Sequence, residues 1–108
     1  VFSELGTRIS IVTEDGSAGH RGVVTDPLKT WLEKYRPAII YACGPEAMLK
    51  TVGRLAQSKN IACEVSVETL MACGLGVCMG CAVSTNDIKD GYRHACKDGP
   101  VFDANVLV

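Results

Sequence analysis

Three cysteines, Cys73, Cys78 and Cys81, fall within nine residues in the spacing C-x4-C-x2-C, and Cys96 follows after a gap of fourteen. Four thiolates suit a two-iron, two-sulfur cluster, two to each ferric ion, and the spacing is that of plant-type ferredoxin loops. Gly74, Gly76 and Gly80 let the backbone wrap close to an inorganic core and adopt positive φ. Amide N–H groups then point at sulfur, and such hydrogen bonds, with burial, tune a reduction potential. Met71, Leu75, Val77 and Met79 are expected to form an apolar lid that keeps water out. Two other uses of cysteine compete. Structural zinc takes four cysteines too, but as two separate short-spaced pairs, whereas here three crowd one loop. Disulfides belong to oxidising compartments, and from this sequence no secretory leader is expected.

A second candidate site lies upstream. Cys43, Gly44 and Pro45 close the apolar run 38–43, where a buried parallel strand would deliver them to the sheet edge at which α/β proteins bind ligands. A cysteine there is also an ordinary small hydrophobe. Glu14 and Asp15 follow another strand, placed to accept hydrogen bonds from a ribose diol and to repel a 2′-phosphate, which favours NAD over NADP. They serve equally as a solvated turn, and Arg21 nearby weighs the other way. Cys63 falls inside a strand and belongs to a core, while His20 and His94 fit surface or loop positions better than ligand positions.

The elements that must position these residues follow from pattern. Val1 to Leu5 has the character of a helix tail stopped by Gly6. Residues 8–13 alternate and are β-branched, predicting a strand, with 14–22 as the loop after it. Asp26 as N-cap and Pro27 at the first helical position open a helix whose inward face is Leu28, Trp31, Leu32 and Tyr35. A strand over 38–43, a helix over 46–59 facing inward with Met48, Leu49, Val52, Leu55 and Ala56, and a strand over 61–67 complete the alternation. The fold class is α/β: part of a doubly wound parallel sheet, residues 1–67, then a small cluster module, residues 68–108. In that module, residues 82–84 and 92–94, joined through 85–87 and 89–91, form a short antiparallel hairpin returning Cys96 to the loop.

Composition sets outer limits. The chain has 108 residues, is 47% hydrophobic and carries a formal net charge of −1, so a folded core is expected. The charge balance removes the electrostatic case for nucleic acid or anionic membrane, and no apolar run approaches a membrane span. The chain begins at Val1 and lacks the Gly-rich phosphate fingerprint. It is therefore expected to be part of a longer protein, whose first phosphate loop lies upstream.

Several stretches taken together resemble one family. Val24-Thr25-Asp26, 41–49 (YACGPEAML), 68–74 (ETLMACG) and 96–102 (CKDGPVF) are similar to the C-terminal half of the type B dihydroorotate dehydrogenase electron-transfer subunit, an iron–sulfur flavoprotein of the ferredoxin-reductase-like group. The resemblance covers essentially the whole chain. It implies an upstream flavin-binding β-barrel, a nicotinamide-nucleotide domain, and a heterotetramer with an FMN-containing catalytic subunit. Electrons from dihydroorotate would pass through a 2Fe-2S cluster and FAD to NAD, in pyrimidine biosynthesis in the cytoplasm. Cys73, Cys78, Cys81 and Cys96 match the family's cluster ligands, and Cys43-Gly44-Pro45 matches its turn beside the nicotinamide and flavin rings. The isolated fragment is expected to be inactive. A related subunit, that of NADH-dependent ferredoxin:NADP oxidoreductases and sulfide dehydrogenases, shares the layout but has an aspartate where Cys73 stands. A zinc-binding interaction module is the alternative of another class.

Overall fold

A computed structural model describes residues 2–89 and 91–107. Val1 of the expected helix tail and Asp90 of the expected hairpin link lie outside the described residues. The chain divides into two compact units, one up to Tyr35 and one from Arg36 onward. The expected boundary after Val67 falls inside the second unit.

In the first unit, Phe2–Leu5 is a single 3-10 turn, closed by Gly6 at φ 69°. The strand expected over 8–13 pairs only at β1, Val12–Thr13, and its partner β2, His20–Arg21, comes from the stretch expected to be loop. The two run parallel, with Val12 opposite His20. Gly19 makes this possible: at φ 68°, a Cβ there would stand 2.1 Å from the Ile11 carbonyl oxygen, which accepts from the His20 N–H at 2.8 Å. Helix α1 spans Thr25–Lys34, so Asp26 lies within it instead of capping it. The first turn is closed by backbone bonds, Asp26 N–H to Val23 O and Leu28 N–H to Val24 O. Of the expected inward face only Leu32 is buried; Trp31 and Tyr35 are exposed and pair with each other at 5.1 Å.

The second unit holds a three-stranded sheet of order β3-β4-β7. Strand β3 is Ile39–Cys43, β4 is Ala62–Ser66 and β7 is Val101–Asp103. β3 and β4 are parallel, Ile40 opposite Cys63 and Ala42 opposite Val65, while β7 runs antiparallel, Phe102 opposite Val65. Helix α2, Glu46–Ser58, buries Leu49, Val52, Gly53 and Ala56. That i, i+3, i+4, i+7 stripe is what one helix face presents to a sheet. Cys63, Val65, Val67 and Phe102 are buried with it, and the chain's end adds Ala104 and Leu107. The fold is mixed α/β with parallel and antiparallel pairing. The antiparallel edge was not expected, because β7 comprises three residues, Val-Phe-Asp, with a single buried side chain.

A separate hairpin pairs β5, Ala82–Ser84, with β6, Tyr92–His94, in antiparallel register, Ala82 opposite His94. The Thr85 N–H donates to Gly91 O at 2.7 Å, and Arg93 forms an ion pair with Asp87. One more backbone bond, Ala95 N–H to Cys81 O at 3.0 Å, extends the pairing into α3, Ala95–Asp98.

Candidate functional site

The hairpin's last bond does the positioning. It ties Ala95 to Cys81, so Cys96, one residue on, arrives beside Cys81 with sulfurs 3.2 Å apart. Cys81 is buried and Cys96 half-buried. The other two cysteines sit outward, Cys78 exposed and Cys73 half-buried.

Around these outer sulfurs the backbone supplies donors. The Leu75 N–H donates to Cys73 Sγ at 3.3 Å, and the Gly80 N–H to Cys78 Sγ at 3.4 Å. Gly74 at φ 68°, Gly76 at 77° and Met79 at 62° turn the peptide planes to do so. The Leu75 amide above all, then those of Cys78 and Val77, with the Cys78 thiol, pull the Cys73 thiol down to about 6. Cys96 is shifted up, first by its contact with Cys81 and then by burial.

Cys81 and Cys96 thus stand in direct sulfur contact, while Cys73 and Cys78 are each met by a backbone amide. Among the described residues no three Cys, His, Asp or Glu side chains converge on one ion's position. Three thiols crowded on one loop with amides donating to two of them, and a fourth brought against the third, suit a binuclear cluster better than the two separate short-spaced pairs of a structural zinc site. The expected lid does not form: Leu75 and Val77 are 75% and 78% exposed, and Met71 and Met79 are about half exposed. With Leu70 they make an apolar rim facing outward, because the glycine turns spend the loop's backbone, not its side chains, on the sulfurs.

Cys43 ends β3, exposed, in a recess of about 200 Å³ shared with Tyr41, Glu64, Ser66 and Val101. Its thiol faces Glu68 Oε1 at 3.8 Å. Gly44 follows at φ 151°, a backbone conformation that favours glycine, where β3 turns into α2. Gly44, Pro45 and Glu68 also line a crevice of about 220 Å³ between the start of α2 and β5. Cys43 is not grouped with the four loop cysteines. Glu68, two residues beyond β4, is the side chain that meets the Cys43 thiol, and no local pattern in the sequence marks it.

In the first unit, the Asp15 carboxylate accepts the Ser17 N–H at 2.9 Å, which holds its pKa below the usual range. Glu14 stands beside it, exposed. Part of Asp15's capacity therefore goes to shaping its own loop. The Arg21 stem packs by the same loop, 3.1 Å from where a Cβ on Gly16 would be. His20 is exposed in β2. Cys63 is buried in β4, its thiol pushed up by burial and by Asp103.

Residues 68–108 match the model of the iron–sulfur cluster binding domain of dihydroorotate dehydrogenase B. The chain is 39% identical over 108 residues to the dihydroorotate dehydrogenase B (NAD(+)) electron transfer subunit of Caldanaerobacter subterraneus subsp. tengcongensis, covering 99% of this chain and 42% of that protein. It is 43% identical over 100 residues to the subunit of the same name from Clostridium acetobutylicum, covering 93% and 38%. The chain thus spans about two fifths of the length of these curated relatives. Among solved structures, a chain of the NADH-dependent reduced ferredoxin-NADP oxidoreductase, studied for flavin-based electron bifurcation, superposes with TM-score 0.76 at 30% identity over 97% of this chain and 37% of that one.

Proposed function

We propose, from the match of residues 68–108 to the iron–sulfur cluster binding domain of dihydroorotate dehydrogenase B, that this chain is the C-terminal part of an electron-transfer subunit. That subunit carries electrons between an FMN-containing dihydroorotate dehydrogenase subunit and NAD, by way of a 2Fe-2S cluster and FAD, in the cytoplasm. Cys73, Cys78, Cys81 and Cys96 hold the cluster. The observation that carries the reading is the Cys81–Cys96 sulfur contact made by the hairpin, beside a loop whose amides donate to Cys73 and Cys78. When bound, the cluster supplies a station that takes up one electron at a time between flavins that handle two. The protein's part is placement: the Leu75 and Gly80 amides stabilise charge on the outer sulfurs, and the hairpin fixes the inner pair.

Residues 1–67 are proposed to be the later part of a doubly wound nicotinamide-nucleotide domain, with Cys43-Gly44-Pro45 near the nicotinamide and Glu14 and Asp15 favouring NAD. The 220 Å³ crevice and the exposed thiol at the end of β3 support a ligand edge there. Among the described residues no helix is long and apolar enough to cross a membrane. The second reading, a subunit like that of the NADH-dependent ferredoxin-NADP oxidoreductase, has the fold similarity behind it. Cys73 and the higher identity to the dihydroorotate dehydrogenase subunits favour the first.

The test is compositional. Purified anaerobically, the chain should contain about two iron and two acid-labile sulfide; one zinc and no sulfide would overturn the assignment. Residues 1–108 alone should not oxidise NADH, and turnover without added flavin domain would show that the catalytic boundary lies elsewhere.

A further inference from the structure

His94 ends β6 two residues before Cys96, and several contacts meet on it. Its backbone N–H donates to Asp98 Oδ2 at 2.8 Å, its ring stands edge-on to Tyr92 with centroids 5.6 Å apart, and its Nε2 lies 3.2 Å from Met79 Sδ. Met79 sits between Cys78 and Cys81 at φ 62°, a conformation that strains a residue with a Cβ and persists only where its surroundings hold it. The other half of the ligand loop reaches the same ring: a Cβ on Gly76 would stand 3.8 Å from His94 Cγ. His94 therefore contacts the loop after Cys78 and lies close by it before Cys78. A thioether has no hydrogen to give, so a hydrogen bond in this contact requires the tautomer that carries the hydrogen on Nε2.

We propose that His94 is a positioning residue for the cluster loop: its Nε2–H donates to Met79 Sδ and pins the left-handed turn that sets Cys78 and Cys81 apart. His94 is not a ligand, and its effect runs through Met79. The inference rests on the cluster reading above. It is specific to this His–Met pair, which the cysteine spacing does not require.

The experiment uses the full-length subunit with His94→Ala, Met79→Leu and the double substitution. Iron and sulfide content, the g-values of the dithionite-reduced cluster and the rate of bleaching by an iron chelator are measured for each. Each single variant should shift the g-values and bleach about tenfold faster, the scale seen when outer-shell partners of a metal site are removed. The double should go no further than either single, because both remove one contact. Wild-type g-values and bleaching in either single, or effects that add in the double, overturn the proposal. Should His94→Ala not fold, Met79→Leu decides by the same two readouts. A wild-type subunit that takes up no iron and sulfide overturns the cluster reading itself, and the role of His94 with it.

Discussion

Cys43 and the loop cysteines should fail in different ways, because they belong to different elements. Cys43 ends β3 with its thiol against Glu68, whereas Cys78 accepts the Gly80 amide inside the ligand loop. In the full-length subunit Cys43→Ala should keep the visible absorbance and slow NADH-dependent flavin reduction about tenfold, or ~1.4 kcal/mol, if the thiol only positions the nicotinamide. Cys78→Ala should remove the cluster, leave NADH-dependent flavin reduction largely intact, and stop transfer to the FMN subunit. Anaerobic stopped-flow absorbance separates the two. A bleached Cys43→Ala, or one with unaltered flavin reduction, would return Cys43 to the role of a small hydrophobe. At this scale the sequence is informative about ligand candidates, since spacing alone groups the four loop cysteines. It is silent on Glu68 and on the His94–Met79 contact, because both join residues distant in sequence that only the hairpin and the sheet bring together.

Helix α2 and strand β4 carry the second unit, and both were legible for the same reason: each repeats its own period cleanly. Leu49, Val52 and Ala56 keep the helical spacing, and Cys63, Val65 and Val67 alternate with Ala62, Glu64 and Ser66. Leu49 is 2% exposed, so Leu49→Ala should destabilise the chain by about 2–5 kcal/mol, as large-to-small changes in packed cores do. Urea unfolding followed by far-UV circular dichroism measures it; a change under 1 kcal/mol would mean that α2 is not the sheet's cover. The elements that were misread lack such periods. β1 and β2 are two residues each and depend on Gly19 admitting the Ile11 carbonyl, a tertiary detail that no local pattern announces. α1 begins one residue before the apparent cap, because backbone donors close its first turn and leave Asp26 no capping work.

At the scale of the whole molecule, the rim of the cluster loop is the feature that fails to pay its way within this chain. Leu70, Met71, Leu75, Val77 and Met79 are 82%, 48%, 75%, 78% and 46% exposed, all within ten residues that carry two candidate ligands. Exposed apolar side chains gathered on one loop mark a contact surface. Under the proposed function, the other protein is the FMN-containing subunit, since a cluster must lie close to the flavin it serves. Leu75 and Val77 are the most informative pair, because neither side chain is used inside the module while the Leu75 amide is. Burying each against a partner contributes about 1.5–3 kcal/mol. Replacing both with glutamate, Leu75→Glu with Val77→Glu, should therefore weaken association by roughly a hundredfold or more. Iron and sulfide content should stay at the wild-type level, because the Leu75 N–H that donates to Cys73 belongs to the backbone and survives the substitution. Titration calorimetry between the full-length subunit and the FMN subunit reads the first, and chemical analysis the second. Moderate added salt should change the wild-type affinity little, since the contact is apolar and not ionic. Unchanged affinity in a variant with its cluster intact would take the rim away from the partner. Loss of the cluster would instead make these side chains part of what holds the loop closed.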